Sequence, residues 1–301
     1  MAMELRKNLF CYLMVAPALL ITLALGIVPM VTSLWWSFLD YDLIQAETAG
    51  ETFVGWRNYQ VVLSDQRFVT SLVNTVVMTV MVMALVVALG LLLAHVMNAK
   101  YRGRAIVRTL ICAPWFVPPV VAAAIWVWML DTDRSPINAL LMDWGLIDGN
   151  LRFLTDTTDA GPLSLPLASV VAVRVWNGLP FVVIFLLAGM QSISRSLYEA
   201  ASIDGASLIG RFRYITLPLL KPVLGVIVML LLITGFGHFE INFIMTGGGP
   251  QDMTNVAAVY AYQQAFNFFR FDYASAASGV VFLMTSVICI FYIRAQIRKD
   301  K

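Results

Sequence analysis

Charged residues are scarce in this sequence, and their scarcity excludes an ordinary water-soluble protein. Asp, Glu, Lys and Arg make up 13% of the 301 residues, whereas hydrophobic residues make up 60%. A soluble globular domain has about 25% charged and about 45–50% apolar residues. A chain with so much apolar surface needs lipid as part of its solvent. The composition therefore predicts a membrane protein that forms a single domain over residues 1–301.

Cysteine and histidine are also rare, which argues against metal, redox and hydrolytic chemistry. The cysteines Cys11, Cys112 and Cys289 lie in apolar runs without the spacing of metal ligands. The apolar runs contain no HExxH motif and no paired aspartates, and the chain has no Gly-x-x-x-x-Gly-Lys-Ser/Thr phosphate loop. The basic residues are scattered, unlike those of a nucleic-acid-binding face. We therefore expect no enzymatic activity, no bound metal or cofactor and no nucleic-acid partner.

Long apolar runs are what this sequence has in abundance. A helix of about 20 residues crosses the hydrocarbon core of a bilayer, and six runs reach that length. They cover approximately residues 9–37, 69–97, 107–130, 165–190, 217–238 and 274–294. The first run is longer than the apolar part of a signal peptide and ends at the interfacial pair Trp35 and Trp36, so we expect it to be retained. The sequence predicts an all-α membrane fold with six transmembrane helices.

The placement of positive charge predicts the orientation of these helices. Fourteen of the 20 Lys and Arg residues lie at the two termini and in the second and fourth connections, and five lie in the alternate connections. Basic flanks resist translocation and stay in the cytoplasm. Both termini are therefore expected inside, which agrees with an even number of spans.

The fourth connection, residues 194–216, has a pattern of its own. Ser194 or Ser196 can cap a short helix that carries Glu199 in its first turn, and Gly205 can end or bend that helix. The pattern alone allows two interpretations. The helix either transmits motion from a partner to the next span, or only anchors the loop at the membrane surface.

The same connection and the residues after it contain a long ordered set: Glu199, Ala200, Ala201, Asp204, Gly205, Ala206, Phe212, Ile215, Leu217, Pro218 and Pro222. This order resembles the EAA signature of binding-protein-dependent ABC importer permeases. Further matches are Pro17-Ala18, Trp36-Ser37-Phe38, Asn58-Tyr59, Pro114-Trp115, Pro118-Pro119-Val120, Thr246-Gly247-Gly248-Gly249-Pro250 and Tyr273-Ala274-Ser275-Ala276. These resemble the carbohydrate branch of the family, and in particular the first permease of maltose and glycerol-3-phosphate importers.

The resemblance implies a type I importer permease in the inner or plasma membrane of a bacterium or archaeon. Its implied partners are a second, related permease in a heterodimer, two cytoplasmic ATPase subunits that hold ATP and Mg, and a periplasmic or extracellular solute-binding protein. The implied solute is carbohydrate-like. The residues expected to couple to the ATPase are Glu199, Ala200, Ala201, Asp204, Gly205, Ala206, Arg211 and Phe212. The coupling helix itself is expected over residues 199–213.

Polar and aromatic residues in the fourth and fifth runs are candidates for the lining of a solute path. They are Arg174, Trp176, Asn177, Gly178, Thr234, His238, Glu240 and Asn242. Polar groups are costly within a membrane and therefore mark functional paths. Aromatic rings and amide groups also suit sugars.

Each of these candidates has a plainer interpretation. Arg174 can extend to the outer interface or pair with Glu240, and His238 can be solvated in a loop. The pair Trp126 and Trp128 fits an interfacial belt better than a binding surface.

Two further expectations concern the mechanism. The alternative function is an ion-coupled secondary transporter of small solutes, but the runs contain almost no acidic residue that could bind the ion. Pro114, Pro118 and Pro119 are expected to kink the third helix.

Overall fold

The structure is a computed structural model that describes residues 13–41, 52–99, 101–158 and 164–299, and it is mainly helical. The helices are α1 Leu13–Trp36, α2 Arg57–Ser64, α3 Gln66–Asn98, α4 Arg104–Phe116, α5 Pro119–Met129, α6 Pro136–Asp143, α7 Leu165–Gln191, α8 Arg195–Ile203, α9 Leu208–Phe236, α10 Glu240–Thr246, α11 Ala257–Tyr262 and α12 Phe271–Lys299. The strands β1 Leu39–Asp40 and β2 Thr52–Phe53 form a short antiparallel pair. The start of the first predicted span and residues 300–301 lie outside the described residues.

Five of the described helices, α1, α3, α7, α9 and α12, are long and apolar enough to cross a membrane. The pair α4 and α5 gives a sixth span if its two arms are counted as one. These helices confirm the predicted all-α membrane fold.

The third predicted run is not one straight helix. Its two arms, α4 and α5, are bent by 99°. At the break Val117 is extended, with φ −87° and ψ 120°, because the ring of Pro118 disfavours helical backbone in the residue before it. The expected kink in this run is therefore present, and it is sharp enough to separate two helices.

The fifth predicted run begins earlier in the structure than expected. The sequence suggested a span over 217–238, but α9 starts at Leu208 and ends at Phe236. Pro218 does not begin a new helix, because a π-helical turn over Phe212–Thr216 precedes it. In that turn the N–H of Leu217 bonds to the carbonyl oxygen of Phe212, five residues back. The helix is therefore wider just before Pro218 and continues past it.

The described residues divide into two units. The larger covers 66–260 and 281 onwards and contains the main core. Apolar side chains of α3, α7 and α9, among them Met78, Leu186 and Ile227, are fully buried in it. On the outer faces of the same helices, side chains such as Leu92 remain more than half exposed. Such faces suit contact with lipid.

The smaller unit covers residues up to 65 and 261–280. None of the apolar window of α1 is buried, which leaves that helix available to lipid or to another chain. At the start of α12, Arg270 Nη2 lies 2.6 Å from Asp272 Oδ2 and 3.6 Å from Asp40 Oδ1. The hydrogen bond to Asp272 raises the pKa of Arg270 above its usual value.

Candidate functional site

Helices α3, α7 and α9 surround a cavity of about 280 Å³, which His238 completes just beyond α9. Its walls are mainly apolar, with residues such as Val82, Phe181 and Leu230. The polar side chains that line it are Thr79, Arg174, Asn177, Thr234 and His238. Small-molecule sites commonly combine an apolar wall with a few convergent polar groups, and this cavity has that composition.

Arg174 is the unusual residue of this cavity. Its side chain is 5% exposed and lies on the middle turns of α7. Its Nη1 contacts the Sδ of Met78 at 4.0 Å, and its Nε has no hydrogen-bond partner among the described residues. A buried charge without a counter-charge is expensive, so this arginine destabilises the empty cavity.

Two more polar groups of the cavity are buried without a hydrogen-bond partner in the described part of the chain, His238 Nδ1 and Thr79 Oγ1. A neutral imidazole has one nitrogen able to donate and the other able to accept. Within the described residues, the protein itself makes no hydrogen bond with these two groups.

The structure brings together five of the eight residues predicted for the solute path. The five are Arg174, Asn177, Gly178, Thr234 and His238, all of which line the cavity. Trp176 instead packs edge-on against Trp126, with ring centroids 5.6 Å apart. Glu240 is exposed at the start of α10. Asn242 is buried beside the cavity lining, where its Nδ2 contacts the Sδ of Met78 at 3.0 Å.

Neither plainer interpretation of Arg174 agrees with this geometry. Arg174 does not extend to an exposed position, and no ion pair joins it to Glu240 within the described ranges.

The two aromatic residues of the predicted belt differ from each other, since Trp126 is half-buried and Trp128 is 60% exposed.

The contribution of α3 to the cavity was missed at the level of sequence. Thr79, Val82, Met83 and Val86 line one side of it. The available signal is the polar set Ser71, Asn74, Thr75 and Thr79, which follows helical spacing along one face of this run. The argument from sequence considered only the fourth and fifth runs and did not use it.

The predicted coupling residues lie on α8, on the turn after it and on the first turns of α9. Glu199, Ala200, Asp204 and Gly205 are exposed, and Ala201 is half-buried. Glu199 is the fifth residue of α8 and not part of its first turn, because the helix begins only at Arg195. The coupling helix predicted over 199–213 is likewise not one helix.

A helix-ending motif separates α8 from α9. The N–H of Ala206 bonds to the carbonyl of Ala201 at 2.8 Å, and the N–H of Gly205 to that of Ser202 at 3.2 Å. This is the Schellman pattern, which needs a left-handed residue after the helix, and Gly205 has φ +75°. Ser207 then caps α9 by accepting from the N–H of Gly210 at 3.1 Å. The turn is therefore defined by hydrogen bonds on both sides.

Side-chain contacts fasten α8 to α9. The hydroxyls of Tyr198 and Thr216 are 2.8 Å apart, and Arg211 Nη1 donates to Ser202 Oγ at 2.7 Å. The apolar side chains of Ile203, Leu208 and Ile209 are 86%, 73% and 78% exposed. An exposed apolar surface of this kind on a fixed turn is typical of a binding surface for another protein.

The loop before α11 is fastened to α3 by a bidentate ion pair. Arg67 Nε and Nη2 each lie 3.0 Å from an oxygen of Asp252. Asn74 Nδ2 also donates to the main-chain oxygens of Asp252 and Asn255, at 2.9 and 3.0 Å. The Arg67 hydrogen bonds are the main reason that the pKa of Asp252 is lowered from 3.8.

Removal of this ion pair is expected to have a modest, pH-dependent effect. Arg67→Gln should lower the free energy of unfolding by about 1 kcal/mol at pH 7, because the pair is partly exposed. A carboxyl with a depressed pKa contributes stability above its ordinary pKa and loses it as the pH falls through the folded value. Thermal unfolding of the wild type and of Arg67→Gln should therefore converge at low pH, and a constant difference down to pH 3 would contradict the assignment.

No cluster of three or more His, Cys, Asp or Glu that could hold a metal ion occurs within the described residues. The cavity provides hydrogen-bonding groups, aromatic ring faces and the buried cation Arg174. The arrangement suits the binding and passage of a solute.

Comparison with known proteins identifies the class to which this fold and cavity belong. Residues 86–300 match the family described as the binding-protein-dependent transport system inner membrane component. The chain belongs to this family. It is thus a multi-pass inner-membrane protein, the permease component of an ABC importer.

Individual relatives cover nearly the whole chain. It is 35% identical to the trehalose/maltose transport system permease protein MalF of Thermococcus litoralis, over 96% of this chain and 94% of that protein. It is 31% identical to the sulfoquinovosyl glycerol transport system permease protein SmoG of Agrobacterium fabrum, over 99% and 94%. A solved bacterial alginate ABC transporter, in complex with an alginate pentasaccharide-bound periplasmic protein, contains a chain of the same fold. The TM-score is 0.83 at 24% identity, with 99% of this chain and 97% of that chain covered.

Proposed function

We propose that this permease conducts a sugar or sugar-derived solute into the cytoplasm by alternating access. Its partners in this proposal are a second, related permease, two cytoplasmic ATPase subunits that bind ATP and Mg, and an extracytoplasmic solute-binding protein. Both termini lie in the cytoplasm, in agreement with the distribution of Lys and Arg along the chain. The names of the relatives support a carbohydrate-like solute, since they refer to trehalose or maltose and to sulfoquinovosyl glycerol.

One observation carries the mechanism: the exposed turn and the cavity are at opposite ends of the same helix. The contact of Tyr198 with Thr216 fixes α8 to the first turns of α9, and Thr234 of α9 lines the cavity. Residues 216 and 234 are separated by about 27 Å along a helix that rises 1.5 Å per residue. A movement of α8 imposed by an ATPase would therefore shift one wall of the cavity, as a packed two-state change requires.

Glu199, Asp204 and the exposed apolar residues around them are the proposed contacts with the ATPase. The exposed carboxylates can pair with basic groups, and Ile203, Leu208 and Ile209 can enter an apolar cleft. Arg174, Asn177, Gly178, Thr234 and His238 are the proposed contacts with the solute.

The function is tested in proteoliposomes that contain the complete importer and its binding protein. Uptake of labelled solute should require ATP and should persist when ionophores abolish the ion gradients. Uptake that stops when the ion gradients are abolished and does not depend on ATP would favour the ion-coupled alternative and overturn the proposal.

Replacement of a solute contact should separate transport from ATP hydrolysis. Asn177→Ala is expected to reduce uptake about 2- to 10-fold, the effect of one lost hydrogen bond, while basal ATPase activity stays near the wild-type value. Asn150→Ala, at an exposed loop position, is the matched control and should change neither rate. An equal loss of uptake and ATPase activity in Asn177→Ala would indicate a packing role.

A further inference from the structure

Arg174 is a cation that the folded chain buries and leaves without a counter-charge. Arginine keeps its proton under all ordinary conditions in proteins, so burial does not neutralise it. None of the residues described around the cavity is an aspartate or a glutamate. Within the described residues, no ion pair compensates the charge.

A structural role does not explain the residue. Arginines that stabilise a fold do so through hydrogen bonds to carboxylates or carbonyl oxygens, often in pairs. In the part of the chain that the structure describes, the guanidinium makes no hydrogen bond to an oxygen atom, and its one polar contact is the thioether sulfur of Met78 at 4.0 Å. A methionine in its place would fill the same apolar position at lower cost.

The neighbouring groups complement an acceptor-rich ligand. The amide of Asn177, the hydroxyl of Thr79 and the imidazole of His238 share the cavity with the guanidinium. Neither Thr79 Oγ1 nor His238 Nδ1 is used by the protein within the described ranges. A planar guanidinium with flanking neutral donors is the arrangement that binds an oxyanion.

The cavity is small. At about 280 Å³ it lies just below the range of about 300–1,000 Å³ for small-molecule sites, so its size suits one small group of a solute.

We infer that this cavity is an oxyanion subsite and that the transported solute carries a carboxylate, sulfonate or phosphate group, which Arg174 binds. The inference rests on the proposed function and adds to it the charge of the solute. The oxyanion supplies a counter-charge that the described residues of the chain do not provide.

The test measures thermal unfolding of the purified full-length chain in nanodiscs. Glucuronate and glucose are the probes, since they differ only in the acidic group, and sodium phosphate and sodium chloride at matched ionic strength are the free-ion arms. Glucuronate is expected to raise the melting temperature more than glucose does, and phosphate more than chloride. Equal effects within both pairs would overturn the inference.

Substitutions assign the effect to Arg174. In Arg174→Met, the concentration of glucuronate or phosphate needed for a given rise in melting temperature should increase about 10- to 100-fold. This is the effect expected for lost hydrogen bonds to a charged group. Arg174→Lys keeps the cation and should retain a measurable part of the effect. Arg134→Gln, at an exposed position away from the cavity, should behave like the wild type. An unchanged response in Arg174→Met would contradict the assignment.

The ligand-free protein supplies a second readout. If Arg174 is held for a ligand, Arg174→Met should unfold at a higher temperature than the wild type, because an uncompensated buried charge has been removed. A lower melting temperature would show that the arginine supports the fold and would overturn the inference.

The remaining outcomes separate this inference from the proposed function. If phosphate alone stabilises as strongly as glucuronate, the assignment of the subsite to a sugar-borne group is overturned. If the complete importer transports neutral sugars and excludes their acidic counterparts, the inference fails while the proposed function stands. If Arg174-dependent stabilisation occurs but no ATP-driven uptake is found, the proposed function fails while the subsite stands.

Discussion

Replacement of Gly205 by valine is expected to reduce ATP-driven uptake about tenfold or more. Gly205 has φ +75°, and no heavy atom lies within 4 Å of the position a Cβ would take. The cost of the substitution therefore comes from the backbone, because a β-branched residue is a clear outlier at positive φ. A strained residue of this kind costs about 1–3 kcal/mol, which corresponds to about a 5- to 150-fold decrease in the equilibrium constant for forming the turn.

The functional effect follows from the position of the turn. Gly205 completes the hydrogen bonds that end α8, and Ser207 begins α9 two residues later. If the turn opens, α8 no longer transmits its movement to α9, although the ATPase subunits remain intact. We therefore expect ATP hydrolysis to continue while uptake is lost.

A matched substitution separates backbone strain from the mere presence of a side chain. Asparagine tolerates the left-handed conformation better than other non-glycine residues, so Gly205→Asn should retain uptake within about twofold of the wild type. Both variants are compared in proteoliposomes by uptake and ATPase rates measured on the same samples. Normal uptake by Gly205→Val, or equal loss in both variants, would show that the left-handed turn is not what couples the subunits.

The sequence predicted the membrane spans well because their signal is a property of single segments. An apolar run of sufficient length has to be a helix in lipid, since its backbone groups find no other partners there. The bend between α4 and α5 was also visible in the sequence, as Pro118 acts on the adjacent residue. The size of the bend, 99°, depends on the packing of both arms and has no local signature.

The start of α9 shows where local reasoning fails. Pro218 is a strong signal for a helix start, and yet the helix begins at Leu208. The π turn over Phe212–Thr216 lets the helix continue past Pro218, and the hydrogen bonds of Tyr198 and Arg211 hold that turn against α8. These contacts join residues 18 and 9 positions apart, which is more than the three- or four-residue spacing on which helix signals depend.

Only part of the candidate site could be predicted from the sequence, because the site also depends on packing between helices. Arg174, Asn177 and His238 stand out as polar residues in or beside apolar runs, and all three line the cavity. Glu240 stands out just as clearly, but it points to the surface. Whether a polar residue faces the cavity depends on the rotation of its helix, which is fixed by packing between helices. The same rotation brings Thr79 of α3 into the site.

Substitution of Gly235 by alanine is expected to destabilise the protein, and removal of one side chain on the facing helix should reverse the effect. A Cβ at Gly235 would lie 2.5 Å from Cγ2, 2.9 Å from Oγ1 and 3.2 Å from Cβ of Thr79. Thr79 is buried and short, so it cannot move aside as the end of a long side chain would. Overpacking of this kind costs about 1–3 kcal/mol.

The control for Gly235 is Gly178, which also lies within a helix. No heavy atom lies within 4 Å of the Cβ position at Gly178, so Gly178→Ala should stabilise α7 by up to about 1 kcal/mol through helix propensity. Opposite shifts in melting temperature for two chemically identical changes would show that the approach of α3 and α9 determines the result. A loss of stability in Gly178→Ala would contradict this explanation.

The double variant isolates the contact between the two helices. Thr79→Ala removes Cγ2 and an Oγ1 that has no hydrogen-bond partner among the described residues, so by itself it should change stability little. Combined with Gly235→Ala it should restore most of the lost melting temperature, because only the contact with Cβ at 3.2 Å remains. Strict additivity of the two changes would show that they do not interact. Since both residues line the cavity, restored stability would also show that the absence of a side chain at 235 lets the two helices approach beside Arg174.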